Sequence, residues 1–356
     1  MASKDDLILD VKGVAGRLVP VDEAVGMVIP HDITEIVAGK KKGPAFRKGH
    51  VIKEDDIERL KDLGKFHIYA LDLGKDLVHE NEAARIIAAH ACGPRVRADS
   101  EVVEGKVAFR ARCRGLFKVD RGALLDFNLL GEVMLATLHD NSVVEEGRQV
   151  AAGRAIPLVI SRRVMDRAVE ILKQAGGLLT VEPFKIGKGA IVVTGREVYE
   201  GRIEDAFGPA MSRKLSAYGV EILSTVKVPD DTGLISSAIR EAASRGAEII
   251  VCTGGMSVDP DDVTRVAIKE AGAEDITYGS PVLPGAMFLI SYLGDIPVVG
   301  IPACGMYFKT TVFDLMLPRI LAGERVGRRQ IAEMGHGGLC LGCKNCNYPI
   351  CPFGKN

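Results

Sequence analysis

The residues best suited to chemistry lie in one short stretch, from Ile249 to Asp262, with the sequence IIVCTGGMSVDPDD. An apolar run ends at Thr253-Gly254-Gly255, and Ser257 and the pair Asp261 and Asp262 follow it. This order predicts a buried strand, a glycine turn and the start of a helix. Glycines let the backbone approach a ligand closely, and free N–H groups at a helix start attract an anion such as phosphate. The stretch therefore indicates a ligand-binding turn.

The two carboxylates leave two interpretations open. Asp261 and Asp262 would repel a bare phosphate, so as ligand-binding groups they suit a bridging Mg²⁺ or a polar heterocycle. Alternatively, they only cap the N-terminus of the following helix. The spacing alone does not separate these two roles.

Strands and helices alternate from about residue 189 to residue 322. The runs AIVVTG, VEILSTVKV and IIVCTGG predict strands, and the amphipathic segments between them predict helices, one of which begins at Asp230 or Asp231. A hairpin-like region follows, and then a helix from about Met306 towards Leu321. This alternation predicts an α/β fold with a doubly wound, mostly parallel sheet.

Such a sheet would bring separate turns together. The carboxyl ends of parallel strands meet at one edge, where ligands bind. The turn at Thr194-Gly195, followed by Glu197, should therefore open beside Thr253-Gly254-Gly255. The turn at Pro284-Gly285 can line the same pocket.

The rest of the chain has a different pattern. We predict an N-terminal α+β segment over residues 1–100, a small β-rich domain over 101–185, the α/β domain over 186–330 and a cysteine-rich tail over 331–356. HENEAARIIAAHACG predicts a helix, at whose start His79 and Glu80 suit either a capped helix or a ligand pair, and a second helix is predicted from about Arg162 to Ala175. Arg110, Arg112 and Arg114 alternate with other residues, which predicts that they share one face of a strand.

The tail carries the most specific metal-binding pattern. Cys340, Cys343, Cys346 and Cys351 follow the spacing C-x2-C-x2-C-x4-C, and His336 lies close enough to substitute as a ligand. Four thiolates in so short a segment can close around Zn²⁺ or around a [4Fe–4S] cluster, whose bacterial ferredoxin spacing is similar. A tail of free thiols is the alternative.

Composition excludes several classes of function. The chain has 356 residues and a net charge of -1, so it lacks the excess of positive charge that binds nucleic acid or an acidic membrane surface. Apolar residues make up 47%, aromatic residues 5%, and Trp is absent, as in an aliphatic α/β interior. Since the sequence shows no signal peptide or membrane span, we expect a cytoplasmic protein whose eight cysteines are thiols or metal ligands.

Residues from about 189 to 322 resemble the molybdopterin-binding domain of the molybdenum-cofactor biosynthesis proteins, most of all the molybdopterin molybdotransferases, or molybdenum insertases. The resemblance rests on the turn of Thr194, Gly195 and Glu197, on Asp205, and on Thr253-Gly254-Gly255 with Ser257, Val258 and Asp262. It implies that these turns, with Pro284, Gly285 and Pro302, bind the pterin and its phosphate. It also implies a homodimer, and a catalytic or Mg²⁺-associated role for Asp262 with Glu197.

The sequence departs from the insertases in three places. Their Lys-Pro-Gly-Lys-Pro turn corresponds to Leu283-Pro284-Gly285-Ala286-Met287, without either lysine, and their Leu-Pro-Gly-Asn-Pro turn corresponds to Ile301-Pro302-Ala303-Cys304-Gly305. Lysines can hold the molybdate dianion by charge, so their loss weakens the case for metal insertion. Cys304 is either a soft ligand or a core cysteine. Little chain follows residue 325, where the insertases have a β domain.

Three functions fit these residues. The first is an insertase-like enzyme that uses Asp262 and Mg²⁺ on molybdopterin or adenylylated molybdopterin. The second is a non-catalytic carrier or sensor that delivers the pterin to a molybdoenzyme or a biosynthesis partner. The third is a nucleotide-pyrophosphate hydrolase, because the same domain occurs in the competence/damage-inducible family.

Overall fold

The computed structural model describes residues 10–11, 14–15, 17–37, 41–256 and 263–355, and the chain divides into two compact units. Unit 1 contains the described residues up to Cys113, together with Phe117–Leu138 and Val144–Val181. Unit 2 contains Arg114–Leu116, His139–Val143 and the described residues from Glu182 onward. The finer boundaries expected at residues 101, 186 and 331 stay predictions.

The elements before residue 183 are short. The strands are β1 Asp10–Val11, β2 Val14–Ala15, β3 Arg17–Pro20, β4 Ile33–Val37, β5 Lys41–Phe46, β6 His67–Ala70, β7 Leu77–His79, β8 Val96–Ala98, β9 Lys106–Ala111, β10 Gly115–Val119, β11 Val133–Thr137, β12 Ser142–Val144, β13 Gln149–Ala155, β14 Val159–Ser161 and β15 Leu179–Glu182. The helices are α1 Asp56–Asp62, α2 Glu80–Ala91, α3 Arg121–Asn128 and α4 Arg162–Gln174.

Unit 1 contains an antiparallel sheet of strand order β11-β13-β9-β8. Its apolar side chains, such as Phe109 and Leu135, share one buried cluster with Ile87 of α2 and Leu172 of α4. The two helices expected from HENEAARIIAAHACG and from Arg162 onward are confirmed. The expectation that Arg110, Arg112 and Arg114 share a strand face is wrong, because β9 ends at Ala111 and a bend follows.

Unit 2 is organised around a sheet of strand order β17-β16-β18-β21-β20-β19. Its strands are β16 Lys188–Thr194, β17 Glu221–Val228, β18 Ile249–Thr253, β19 Glu274–Tyr278, β20 Leu289–Leu293 and β21 Ile296–Ile301. Its helices are α5 Arg196–Tyr199, α6 Phe207–Ser216, α7 Thr232–Ser244, α8 Thr264–Glu270, α9 Cys304–Tyr307, α10 Val312–Leu321 and α11 Arg328–Glu333. The strands β17, β16, β18 and β21 run parallel, and β20 and β19 are antiparallel additions.

The central strand β18 packs on both faces, as a doubly wound sheet requires. Ile249 and Val251 join the cluster that contains side chains of α6 and α10, whereas Ile250 and Cys252 join the cluster that contains side chains of α7 and α8. Every residue from Ile249 to Thr253 is 0% exposed. Burying each aliphatic side chain contributes about 2 kcal/mol, so this strand anchors the unit. The expected α/β fold is confirmed.

One expected helix is in fact two. The pattern predicts a helix from Met306 to Leu321, but α9 ends at Tyr307 and α10 begins at Val312. Thr311 and Asp314 form a reciprocal capping box that starts a new helix. Asp231, one of the two expected caps, accepts a hydrogen bond from the backbone N–H of Leu234 and begins α7.

Among the described residues, no helix combines the length and the apolar character that crossing a membrane requires.

Candidate functional site

The site begins where two parallel strands end side by side. Val193 of β16 lies opposite Thr253 of β18 in the sheet register. The hydroxyl of the next residue, Thr194, donates to the carbonyl oxygen of Thr253 at 2.9 Å and lies 3.0 Å from the hydroxyl of Thr264 in α8. All three threonines are buried. The expected meeting of the two turns at one sheet edge is confirmed.

The two glycines after Thr253 are required by this crowding. Gly254 has φ +86°, and a Cβ built there would lie 2.4 Å from the carbonyl oxygen of Thr194. Gly255 has φ +55°, and its Cβ would lie 2.4 Å from the hydroxyl oxygen of Thr264. Both the left-handed backbone and the lack of space disfavour any other residue, so the turn lies directly against the strand ends.

A cavity of about 460 Å³ opens beside this turn, and we call it the sheet-edge cavity. Three turns line it: one after β18, one before β20 and one after β21. Its lining residues are Gly254, Gly255, Met256, Leu283, Pro284, Gly285, Ala286, Met287, Pro302, Ala303 and Cys304. Five residues expected to bind a ligand therefore come together here, namely Gly254, Gly255, Pro284, Gly285 and Pro302. These described lining residues carry no charged side chain, so the cavity suits a ring system with polar contacts from the backbone.

Other expected binding residues lie outside this lining. Thr194 and Thr253 are buried in the strand ends. Gly195, with φ +139°, leads into the short helix α5, where Glu197 is exposed. The carboxylate of Asp205, one residue before the N-cap Ala206 of α6, accepts a hydrogen bond from the backbone N–H of Gly208 at 2.9 Å. Ligand-binding or catalytic roles for these residues stay predictions.

The part of the motif richest in oxygen ligands is not described. Ser257, Val258, Asp261 and Asp262 lie in the segment 257–262, outside the described residues. The roles expected of Ser257 in binding and of Asp262 in catalysis therefore stay predictions.

Thr253 has an unusual hydroxyl group. Its Oγ1 is buried and has no hydrogen-bond partner among the described residues. A buried hydroxyl without a partner costs about 1–3 kcal/mol, and folded proteins rarely leave one so. Thr253 lies outside the lining of the sheet-edge cavity, so the role expected of this residue in binding stays a prediction.

Sequence reasoning missed several residues of the site. Met256 and Met287 line the sheet-edge cavity, and Thr264 connects to the end of β16. Cys304, for which two roles were open, is partly buried and lines the cavity. Burial raises the pKa of its thiol, which keeps it protonated at neutral pH. No local pattern marks these residues, because their contacts depend on the tertiary fold.

The tail does not form the expected site for a single metal ion. In the described ranges, no three His, Cys, Asp or Glu side chains are arranged to hold an ion, and this statement includes the four tail cysteines. Cys340 and Cys351 pack partly buried against the core of unit 2, whereas Cys343 and Cys346 are exposed. All eight cysteines are free thiols.

Comparison with known proteins identifies the domain that carries the sheet-edge cavity. Residues 190–322 match the family described as a probable molybdopterin binding domain. The resemblance based on the two glycine turns is confirmed at this level. Residues 18–72 match a family described as a domain of unknown function.

Relatives share only part of the chain. A CinA-like protein of Mycobacterium avium (strain 104) is 38% identical over 88 residues, which are 24% of this chain and 20% of that protein. A protein from Pyrobaculum aerophilum is 34% identical over 91 residues, which are 25% of this chain and 34% of that protein. The chain thus spans only a fifth and about a third of the lengths of these two relatives.

Solved structures also match over part of the chain. MoaB of Thermus thermophilus, described as a molybdopterin biosynthesis enzyme, has a TM-score of 0.34 at 19% identity, covering 39% of this chain and 98% of its own. The protein CinA of Thermoplasma acidophilum, described as having unknown function, has a TM-score of 0.34 at 16% identity, covering 38% of this chain and 98% of its own.

Proposed function

We propose that the sheet-edge cavity binds molybdopterin or adenylylated molybdopterin, in the biosynthesis or delivery of the molybdenum cofactor. The observation that carries this proposal is the convergence of three turns on one cavity of about 460 Å³. Gly254 and Gly255 leave backbone uncovered at the strand ends, where a Cβ would collide with Thr194 and Thr264. A polar ring system can therefore approach the backbone there.

The chemistry of the cavity wall favours binding and delivery over metal insertion. Leu283 and Ala286 occupy the places where the resembling insertases have lysines, and both line the cavity. Without those cations, the described wall offers no positive charge to hold molybdate or tungstate. A catalytic step would depend on Asp262 and Glu197 with Mg²⁺, and these roles belong to the proposal.

The proposed role has consequences for the whole protein. Delivery of the cofactor requires a recipient molybdoenzyme or a biosynthesis partner, and we place this exchange in the cytoplasm. A homodimer, as the resemblance implies, is part of the same proposal.

A second function is supported by the similarity to the CinA-like protein. The competence/damage-inducible family shares this domain, and nucleotide-pyrophosphate hydrolysis is the activity that we propose on that basis. It would require Asp262 to hold a metal ion against the pyrophosphate.

The test uses protein purified without oxygen and measures the fluorescence of oxidised pterin released on denaturation. We expect pterin to be released from the wild-type protein and at least tenfold less from Ala286→Glu, because the new carboxylate would repel the pterin phosphate. Ala286 is exposed in the cavity wall, so the substitution leaves the core intact. Ala332→Glu, at an exposed position in α11 away from the cavity, is the matched control and should behave as wild type.

Two further measurements separate the alternatives. Leu283→Lys combined with Ala286→Lys should create binding of tungstate that the wild-type protein lacks, if the missing cations are what prevent insertion. Magnesium-dependent hydrolysis of a nucleotide pyrophosphate, lost in Asp262→Asn and accompanied by no pterin, would favour the second function. Absence of both pterin and hydrolysis would overturn both proposals.

A further inference from the structure

A second cavity, of about 260 Å³, lies in unit 2 and is lined by all four tail cysteines, so we call it the cysteine cavity. Cys340, Cys343, Cys346 and Cys351 share its wall with the segment from Tyr307 to Thr310 between α9 and α10. The four thiols of the tail therefore lie around one common space. The tail encloses this space together with a folded part of the sheet domain.

Backbone contacts hold the tail in this position. The N–H of Cys340 donates to the carbonyl oxygen of Leu283 at 2.9 Å, and the N–H of Gly354 donates to the carbonyl oxygen of Gly337 at 3.0 Å. Phe353 is buried in the cluster that contains side chains of α10. Backbone hydrogen bonds therefore hold both ends of the cysteine segment against unit 2.

We infer that the cysteine cavity holds a [4Fe–4S] cluster. Four cysteines bound to one Zn²⁺ would place each sulfur about 2.3 Å from a single point. The four thiols are not arranged for a single ion, yet they surround one space. A cluster fits four cysteines that line one cavity, because its iron and sulfide atoms lie between the cysteine sulfurs that bind it.

The surroundings of the cavity suit the charge of such a cluster. A [4Fe–4S]²⁺ core with four thiolates carries a net charge of about -2. Lys309 and Lys344 both line the cavity and offset this charge. The hydroxyl of Thr310 lies 3.5 Å from the sulfur of Cys346, where it can donate to a ligating thiolate. Tyr348 and Phe353 supply an apolar wall that limits access of water.

Binding can proceed by ligand exchange, without a redox step. A synthetic [4Fe–4S]²⁺ cluster with four mercaptoethanol thiolates would donate the core. Four iron–sulfur bonds to cysteine form as four bonds to mercaptoethanol break. Each departing thiolate takes the proton of the cysteine that replaces it, so the oxidation state of the core does not change.

The experiment measures uptake of this synthetic cluster by the full chain under anaerobic conditions. We expect about four iron and four acid-labile sulfide per chain after gel filtration, with broad absorption near 400 nm, roughly where thiolate-ligated clusters absorb. Cys343→Ser and Cys346→Ser should each lower the retained iron at least fivefold. Both residues are exposed, so neither change disturbs the core, and circular dichroism would check the fold.

Cys92→Ser is the matched control, because Cys92 is partly buried in unit 1 and outside the tail. It should retain the wild-type iron content. Equal iron in all the variants, or no iron in the wild type, would overturn the inference. One zinc per chain that the cluster does not displace would also overturn it. None of these readouts involves pterin, so the result does not depend on the proposed function of the sheet-edge cavity.

Discussion

The backbone N–H of Cys340 donates to the carbonyl oxygen of Leu283, and the N–H of Leu283 donates to the carbonyl oxygen of Gly338. Leu283 lines the sheet-edge cavity and Cys340 lines the cysteine cavity. These two backbone hydrogen bonds therefore connect the walls of the two cavities. A change that detaches the tail should alter the turn that carries Leu283.

Gly338→Ala should detach the tail. A Cβ at Gly338 would lie 2.4 Å from the carbonyl oxygen of Met334 and 2.9 Å from that of Pro281, so the backbone must move. We expect a local loss of about 2 kcal/mol, which raises the population of the detached tail more than tenfold. Trypsin cleavage after the exposed Lys344 would measure it. Gly342→Ala, at φ +63° with open space around it, is the control and should speed cleavage much less.

Gly254→Ala should destabilise unit 2 strongly. The substitution combines a left-handed backbone, which costs about 1 kcal/mol, with a collision against Thr194, for a total of about 3 kcal/mol or more. Gly246→Ala is a matched control, since Gly246 has φ +88° and nothing within 4 Å of the added Cβ. Urea unfolding of both variants measures the difference. If both variants lost the same free energy of unfolding, the close contact between Gly254 and Thr194 would not contribute to stability.

Thr194→Val should lower stability, whereas Thr253→Val should not. The Thr253 hydroxyl is buried without a described partner, so a nearly isosteric methyl should leave the free energy of unfolding unchanged or raise it by about 1 kcal/mol. The Thr194 hydroxyl contacts both Thr253 and Thr264, and its removal should cost about 1–2 kcal/mol. Thermal unfolding of ligand-free protein would measure both. A clear loss in Thr253→Val would mean that its hydroxyl has a partner within the protein.

Glu80 should make the stability of unit 1 depend on pH. Burial raises the pKa of its carboxyl group above 4.5, and the nearby Glu104 acts in the same direction against Arg154, Lys48 and Lys106. The contribution of Glu80 is therefore fully present below pH 4.5 and is lost as the pH rises through the higher pKa of the folded state.

Glu80→Gln removes this titration. The variant should match the wild type in acid and be more stable at neutral pH, as measured by urea midpoints across the pH range. Glu82→Gln, at an exposed position in the same helix, is the control and should not raise stability at neutral pH. A neutral-pH loss of stability in Glu80→Gln would mean that the ionised carboxylate is favoured in the fold.

The sheet of unit 2 was predictable because its local signals agree. Apolar runs of strand length alternate with amphipathic segments, and the glycines fall where strands end. The strand β19, by contrast, has the sequence EDITY, whose two acids weaken the strand signal, and it was not expected. The break between α9 and α10 was also missed, since the capping pair Thr311 and Asp314 lies inside a continuous helical pattern.

The candidate site was predictable to the extent that it consists of turns. Gly254, Pro284 and Pro302 follow from strand ends and from the family resemblance. Met256 and Met287 could not be found in this way, because an apolar residue in a turn has no signature of its own. The four cysteines were found by spacing, but the space that they surround depends on the docking of Cys340 onto Leu283, which is a tertiary contact.

The complete burial of β18 also sets how the protein should respond in native-state hydrogen exchange. The strand pairs with β16 on one side and β21 on the other, so its amides should open only on global unfolding. The turn from Leu283 to Met287 is partly exposed and should exchange through small local fluctuations. A molecule bound in the sheet-edge cavity would therefore slow hydrogen exchange in that turn and leave the exchange rates of the β18 amides unchanged.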